Sequence, residues 1–377
     1  MSLHVAYDIS AGLAQGGGIG RYARELALAL HDLATNTDLQ LSLYANRQPW
    51  GQLPPTLAAV PRLHAPMGDK LWRLWLLAGA PLPGIPGACD VVHGADVIVP
   101  HSAAPAVITV HDLTPYRFPD FHTQLNRIFL RAAFPVMARR AAAIIAVSEA
   151  TRRDLVNLVG VDAGKITRIY EGVNREIFTQ LPVDAARAQI ASTLGFEGAY
   201  LLALGTLEPR KNLATLLRAY AALPENAPPL VLAGAQGWGD TGLTQVLDEL
   251  DLRRRVFLPG RIPDQLLSAL YAGAEVFVYP SFYEGFGLPV LEAMTCGAPV
   301  ITSNCSSLPE VAGDAAILID PTDVDALTAA LTLVIQTPEL RARMRTLGSQ
   351  QAQQFSWRSA AQQTIDLYRH VASRVGR

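Results

Sequence analysis

Short β-branched and aliphatic runs, separated by longer stretches of helical periodicity, constrain this chain more than any other feature. They fall at His4 to Ile9, Val107 to Val110, Ala143 to Val147 and Lys165 to Ile169. The series starts afresh at Tyr200 to Leu204 and continues through Leu230 to Ala233, Val256 to Leu258, Glu275 to Tyr279, Pro299 to Thr302 and Ala316 to Ile319. Strands that alternate with helices pair in parallel, because each helix carries the chain back across the sheet. Two such series predict two doubly wound α/β domains, and 377 residues exceed what one core usually serves. The expected boundary lies around Phe178 to Ala185, where Gln180, Pro182 and Asp184 suit a linker. That gives domains over 1–180 and 181–356. The last stretch carries Ala360, Ile365, Leu367, Tyr368 and Val371 at helical spacing, so a helix over 357–377 is expected to cross back onto the first domain.

Composition narrows the class of partner. A formal net charge of -2 argues against nucleic acid, since binding a phosphate backbone requires a basic face. Any anionic ligand must therefore be held locally. Cys89, Cys296 and Cys305 are odd in number and lack metal-ligand spacing, which fits a reducing compartment, so the cytoplasm is expected. No signal-peptide pattern opens the sequence, and Pro, Gly, Asp or Arg interrupts every apolar run before it reaches the ~18 residues that span a bilayer.

Four loops carry the chemistry. Gly16-Gly17-Gly18-Ile19-Gly20-Arg21 precedes a helix with Tyr22, Leu26 and Leu30 on one stripe, and bare N–H groups at such a start suit an anion. Arg21 stands where the dinucleotide fingerprint needs its third glycine, which disfavours a dehydrogenase. In the second half, Glu284-Gly285-Phe286-Gly287-Leu288-Pro289 leads into a helix carrying Glu292. Pro289 suits a first turn, so Phe286, Gly287 and Leu288 are expected to present N–H groups, with Glu292 in that first turn. Carboxylates such as Glu284 and Glu292 suit sugar hydroxyls, because each accepts directed hydrogen bonds. Arg210 and Lys211, after the strand Tyr200 to Leu204, can supply positive charge to a leaving diphosphate. His111-Asp112 follows Ile108 to Val110, at the carboxyl end of a strand where open α/β sheets bind ligands.

This set of loops resembles the retaining glycosyltransferases of family 4, nearly end to end, and among them the bacterial mannosyl- and rhamnosyltransferases of surface polysaccharides. The most specific element is an E-x7-E pattern, here Glu284 to Glu292, supported by Gly17 to Ile19 and by Pro209-Arg210-Lys211-Asn212. The resemblance implies the GT-B fold, two Rossmann-like domains facing a cleft. The nucleotide-diphosphate sugar, with GDP-mannose as the leading donor, would bind there and pass its sugar to a glycan or lipid-linked acceptor with retention. By the same resemblance Glu284 contacts donor sugar hydroxyls, Glu292 the ribose, Lys211 the diphosphate and His111 the sugar near its anomeric carbon. Amides around Gly17 and Gly18 and at Phe286 to Leu288 complete the phosphate site. Ile262 packs on the base, and Asp264 accepts from a guanine or caps a helix. Many members carry an arginine where this chain has Thr206, and Arg210 is the expected substitute.

No cofactor and no catalytic metal are expected, since the one Asp-x-Asp triplet, Asp323-Val324-Asp325, opens a helix and suits capping. Two stretches suit peripheral contact with the inner face of a membrane: Lys70 to Leu77, and Arg127, Arg131, Arg139 and Arg140 interleaved with Phe129, Leu130 and Phe134. The rival readings are another GT-B enzyme, such as a nucleotide-sugar epimerase or a phosphorylase, and a non-catalytic sugar-nucleotide-binding protein.

Overall fold

The computed structural model describes residues 2–14, 16–46, 53–65, 89–99, 102–121, 124–237 and 242–375. The chain forms two compact units. One comprises Met1–Pro119, Gln124–Gly172 and Ser356–Arg377, the other Asp120–Thr123 and Val173–Phe355. The division falls at Gly172 and Val173, upstream of the linker-like residues that the sequence suggested.

Among the described residues the first unit has a parallel sheet of strands β1 (Leu3–Asp8), β2 (Leu39–Asn46), β3 (Arg62–Ala65), β4 (Val91–Gly94), β5 (Ala106–Val110), β6 (Ala143–Ala146) and β7 (Ile166–Arg168). Their order is β3-β2-β1-β4-β5-β6-β7. Val5 pairs with Leu41 on one side and Val91 on the other. Successive residues Val5, Ala6 and Tyr7 are all fully buried, as a strand covered by helices on both faces requires. Helix Gly18–Ala34 turns Tyr22, Leu26, Leu30 and Leu33 inward, and the terminal helix Trp357–Val375 packs against it. Gly172 makes that return possible: a Cβ there would lie 2.2 Å from the backbone nitrogen of Trp357. Only a residue without a side chain lets those two segments meet.

The second unit repeats the plan with β8 (Leu201–Leu204), β9 (Leu230–Ala233), β10 (Val256–Gly260), β11 (Val276–Tyr279), β12 (Val300–Ser303) and β13 (Ile317–Ile319). Their order is β10-β9-β8-β11-β12-β13, again parallel. Leu201, Leu216, Leu217, Val276, Val278, Leu327 and Leu331 form its core. Each unit therefore reverses direction once, between β1 and β4 and between β8 and β11. In open α/β sheets that switch point leaves a crevice at the carboxyl ends of the strands, where ligands bind.

Candidate active site

The switch point of the second unit brings together the loops after β8 and β11. After β8 a single 3-10 turn, Pro209–Lys211, is followed by Asn212 in the left-handed region at φ 56°. Asn212 holds that conformation by donating from Nδ2 to the carbonyls of Pro280 at 3.1 Å and Pro321 at 2.6 Å. The turn lays Arg210 and Lys211 beside the end of β11. Lys211 Nζ donates to Glu284 Oε1 at 2.7 Å and to the Tyr279 hydroxyl at 2.5 Å. Arg210 donates to the Tyr283 carbonyl at 2.7 Å and to Glu208 Oε1 at 2.5 Å, and its Nη1 lies 2.5 Å from Glu284 Oε2. Both oxygens of Glu284 thus face cations.

All four charged groups are largely buried, with side-chain exposures from 3% to 15%. Burial alone would raise the pKa of Glu284, but Arg210 and Lys211 outweigh it and hold the carboxyl down at about 2. Burial, aided by Arg210, lowers the pKa of Lys211, and Glu284 and Glu208 oppose that effect. The loop around Glu284 is pinned as well. Its backbone N–H donates to Ser306 Oγ at 3.1 Å, and the Ser307 hydroxyl lies 2.9 Å and 2.7 Å from the carbonyls of Glu284 and Phe286.

Helix Leu288–Thr295 follows, with Pro289 in its first turn and Gly287 at the N-cap position with φ 108°. A side chain at Gly287 would be strained by that backbone and would also meet Leu308 Cδ2 at 2.9 Å. Phe286 and Leu288 are buried on either side of it. Glu292 corrects the sequence reading. It lies beyond the first turn, because the helix already begins at Leu288, one residue ahead of Pro289. Its buried carboxylate accepts from the Tyr271 hydroxyl at 3.0 Å.

A cavity of about 930 Å³ opens at the ends of β9 and β10, lined in part by Gly234, Gln236, Gln245, Glu249, Gly260 and Arg261. Ile262 and Asp264 are not among its lining residues. Ile262 is 6% exposed, and Asp264 is the exposed first residue of helix Asp264–Ala272. Thr206 is half-buried in the β8 loop, so the guanidinium beside Glu284 belongs to Arg210.

In the first unit, His111 follows β5 and is buried among acceptors. Its Nδ1 lies 3.2 Å from Glu171 Oε1 and its Nε2 lies 2.9 Å from the Ala95 carbonyl. A carboxylate and a carbonyl only accept, so both contacts are satisfied together when both ring nitrogens carry protons, and the surroundings favour the imidazolium. Its pKa is raised accordingly: burial pulls it down, but Glu171 first and Asp96 next push it above the usual value. In that protonated form the ring has no free lone pair with which to act as a general base. Tyr22 packs edge-on against it with centroids 4.6 Å apart. The Tyr22 hydroxyl joins a buried chain through Thr109 and His93 to Tyr368 on the terminal helix. Gly17 and Gly18 stand at the start of helix Gly18–Ala34, and a Cβ at Gly17 would meet nothing within 4 Å. The fold itself does not demand glycine there.

Glu171, Glu208 and Tyr279 were not singled out from the sequence, though Glu208 sits directly before Pro209-Arg210-Lys211 and was open to the same argument. Asp323 caps helix Val324–Gln336 by accepting from the Ala326 N–H at 2.8 Å. Among the described residues no cluster of His, Cys, Asp or Glu has the arrangement to hold a metal, and no helix is long and apolar enough to cross a membrane. Lys70 to Leu77 lies outside the described residues. On helix Gln124–Arg140, Arg131, Arg139 and Arg140 are exposed, but Phe134 turns into the core. That helix therefore does not present Phe134 to a surface.

Comparison with known proteins agrees with this layout. Residues 16–177 match the family described as Glycosyltransferase Family 4, and residues 189–351 match Glycosyl transferases group 1. The chain is 37% identical over 282 residues to O-antigen chain mannosyltransferase B of Escherichia coli, an alignment covering 74% of each protein. It is 28% identical over 236 residues to O-antigen chain mannosyltransferase RfbU of Salmonella typhimurium, covering 63% of this chain and 62% of that one. Among solved structures, a sucrose-phosphate synthase from Thermosynechococcus elongatus superposes with a TM-score of 0.78 at 22% identity, over 99% of this chain and 100% of that one.

Proposed function

The chain belongs to the family 4 glycosyltransferases of the GT-B fold, and we propose that it moves mannose from GDP-mannose to a glycan or lipid-linked acceptor during synthesis of a bacterial surface polysaccharide. That it is a glycosyltransferase follows from its family. The donor, the acceptor and the stereochemistry are the proposal. Mannose is supported by the names of the two O-antigen mannosyltransferases to which it is similar.

One observation carries the reading: Arg210, Lys211 and Glu284 form a buried charge cluster at the switch point of the second unit. When the glycosidic bond breaks, the leaving diphosphate takes the bonding electrons, and buried cations stabilise that charge far better than water does. Lys211 and Arg210 take this role. Glu284 accepts from sugar hydroxyls, and because both its oxygens are held by cations it positions the sugar instead of attacking it. Glu292 binds the ribose. Thr206 and the amides at Phe286, Gly287 and Leu288 contact the phosphates, and Ile262 and Asp264 lie beside the base. Gly17 and Gly18 permit close approach of the donor, which accounts for glycine at position 17, where the fold has no need of it. His111 contacts the donor sugar near its anomeric carbon. The acceptor hydroxyl adds on the face that the nucleotide leaves, so configuration is retained, and no metal is required.

The test is a panel of GDP-, UDP- and ADP-sugars incubated with and without EDTA. Release of GDP from GDP-mannose, undiminished by EDTA, is expected. Absence of nucleotide release from every donor would remove the proposal, and loss of activity restored by Mg²⁺ or Mn²⁺ would remove its metal-free part.

A further inference from the structure

We propose that Glu208 is a positioning residue of the donor site, which straps Arg210 in place and balances the charge of the cluster so that the nucleoside diphosphate is released after transfer. The inference rests on the donor reading above. Glu208 is buried to 3% exposure, yet it lies in a loop whose other charged residues face the cluster. Its Oε1 accepts from Arg210 Nη2 at 2.5 Å, while its Oε2 has no hydrogen-bond partner among the described residues. A buried carboxylate with one oxygen unsatisfied is costly, and such a cost persists where it serves a site.

The service is visible in the geometry. Arg210 is stretched between two carboxylates, Glu208 on Nη2 and Glu284 on Nη1, with the Tyr283 carbonyl as a third anchor. A guanidinium stays charged and presents its donors in a fixed fork, so these acceptors orient it. Arg210 thereby stands near Glu284, with Thr206 at the position where the family resemblance leads one to expect arginine. The charges also cancel: Arg210 and Lys211 against Glu208 and Glu284. A neutral cluster can hold a diphosphate by directed hydrogen bonds and still let it go. Without the Glu208 charge the cluster carries one net positive charge and grips the anionic product.

Glu208→Gln keeps the acceptor for Arg210 and removes only the charge. GDP affinity measured by calorimetry on the intact protein is expected to rise about tenfold, the equivalent of about 1.4 kcal/mol. Both kcat and KM for the donor are expected to fall together, as product release slows. Glu208→Asp, which keeps the charge, is expected to bind GDP as the parent protein does. Unchanged or weaker GDP binding by Glu208→Gln overturns the inference, because a merely structural glutamate would loosen Arg210 and lose affinity. Tighter binding by Glu208→Asp overturns it as well. If the parent protein binds neither GDP nor UDP, the donor reading itself fails and this inference with it.

Discussion

Replacing Glu284 by glutamine isolates the electrostatic work of the buried cluster. The Glu284 carboxyl is held at about 2 against an ordinary 4.5, and at about 1.4 kcal/mol per pH unit this gap is worth roughly 3 kcal/mol. A depressed carboxylate stabilises the fold above its unfolded pKa, and the contribution is lost as pH falls through the folded one. The stabilisation is therefore full at pH 7, about half as large at pH 3 and nearly gone by pH 2. Glu284→Gln has no such dependence, so the difference between the two proteins should close over the same window. For a unit of this size, about 3 kcal/mol corresponds to a lowering of Tm by roughly 6–12 °C at pH 7. Differential scanning calorimetry at pH 7 and pH 3 measures it, with the transition of the second unit identified as the one that GDP moves. A difference that is absent, or equal at both pH values, would refute the assignment of Glu284 to an ion-paired cluster.

Lys211→Met removes a charged donor of the proposed diphosphate site and should weaken GDP binding by about 10- to 100-fold in calorimetry; unchanged affinity would take the phosphate role from Lys211. Glu171→Gln should lower the His111 pKa, since Glu171 is the main group raising it. The stabilisation from His111 is present below the unfolded value and lost as pH rises through the folded one, so the variant should lose stability at pH 6 more than at pH 9, with the ring titration followed by NMR. Gly172→Ala forces a Cβ to within 2.2 Å of the Trp357 backbone and should cost at least ~1–3 kcal/mol, seen as a lower Tm and faster proteolysis at the terminal helix.

The strands legible in the sequence were those with continuous aliphatic character, such as Leu230–Ala233, whose predicted and observed limits agree. Strands β2, β3 and β4 escaped notice. Leu39–Asn46 mixes Gln40, Ser42 and Asn46 into its apolar residues, and Val91–Gly94 is short and ends on His93 and Gly94. The terminal helix was legible because its apolar spacing is long and regular. Within the candidate site, spacing along the chain revealed Glu284, Lys211 and Arg210 as candidates, but not that the first lies between the other two. That pairing joins residues far apart in sequence through parallel β8 and β11, which no local pattern encodes. Glu171 was hidden for the same reason, since its link to His111 spans β5 to the end of β7. Glu292 was placed in the first turn because Pro289 marks the start of a helix without fixing which residue is first.

In the proposed donor complex Arg210 and Lys211 receive a nucleoside diphosphate while Glu284 receives the sugar. A crystal structure of the protein with GDP-mannose tests this most directly. The diphosphate is expected within hydrogen-bonding distance of Lys211 Nζ, with mannose hydroxyls on Glu284. Nucleotide bound away from these side chains, with the Arg210, Lys211 and Glu284 cluster untouched, would contradict it.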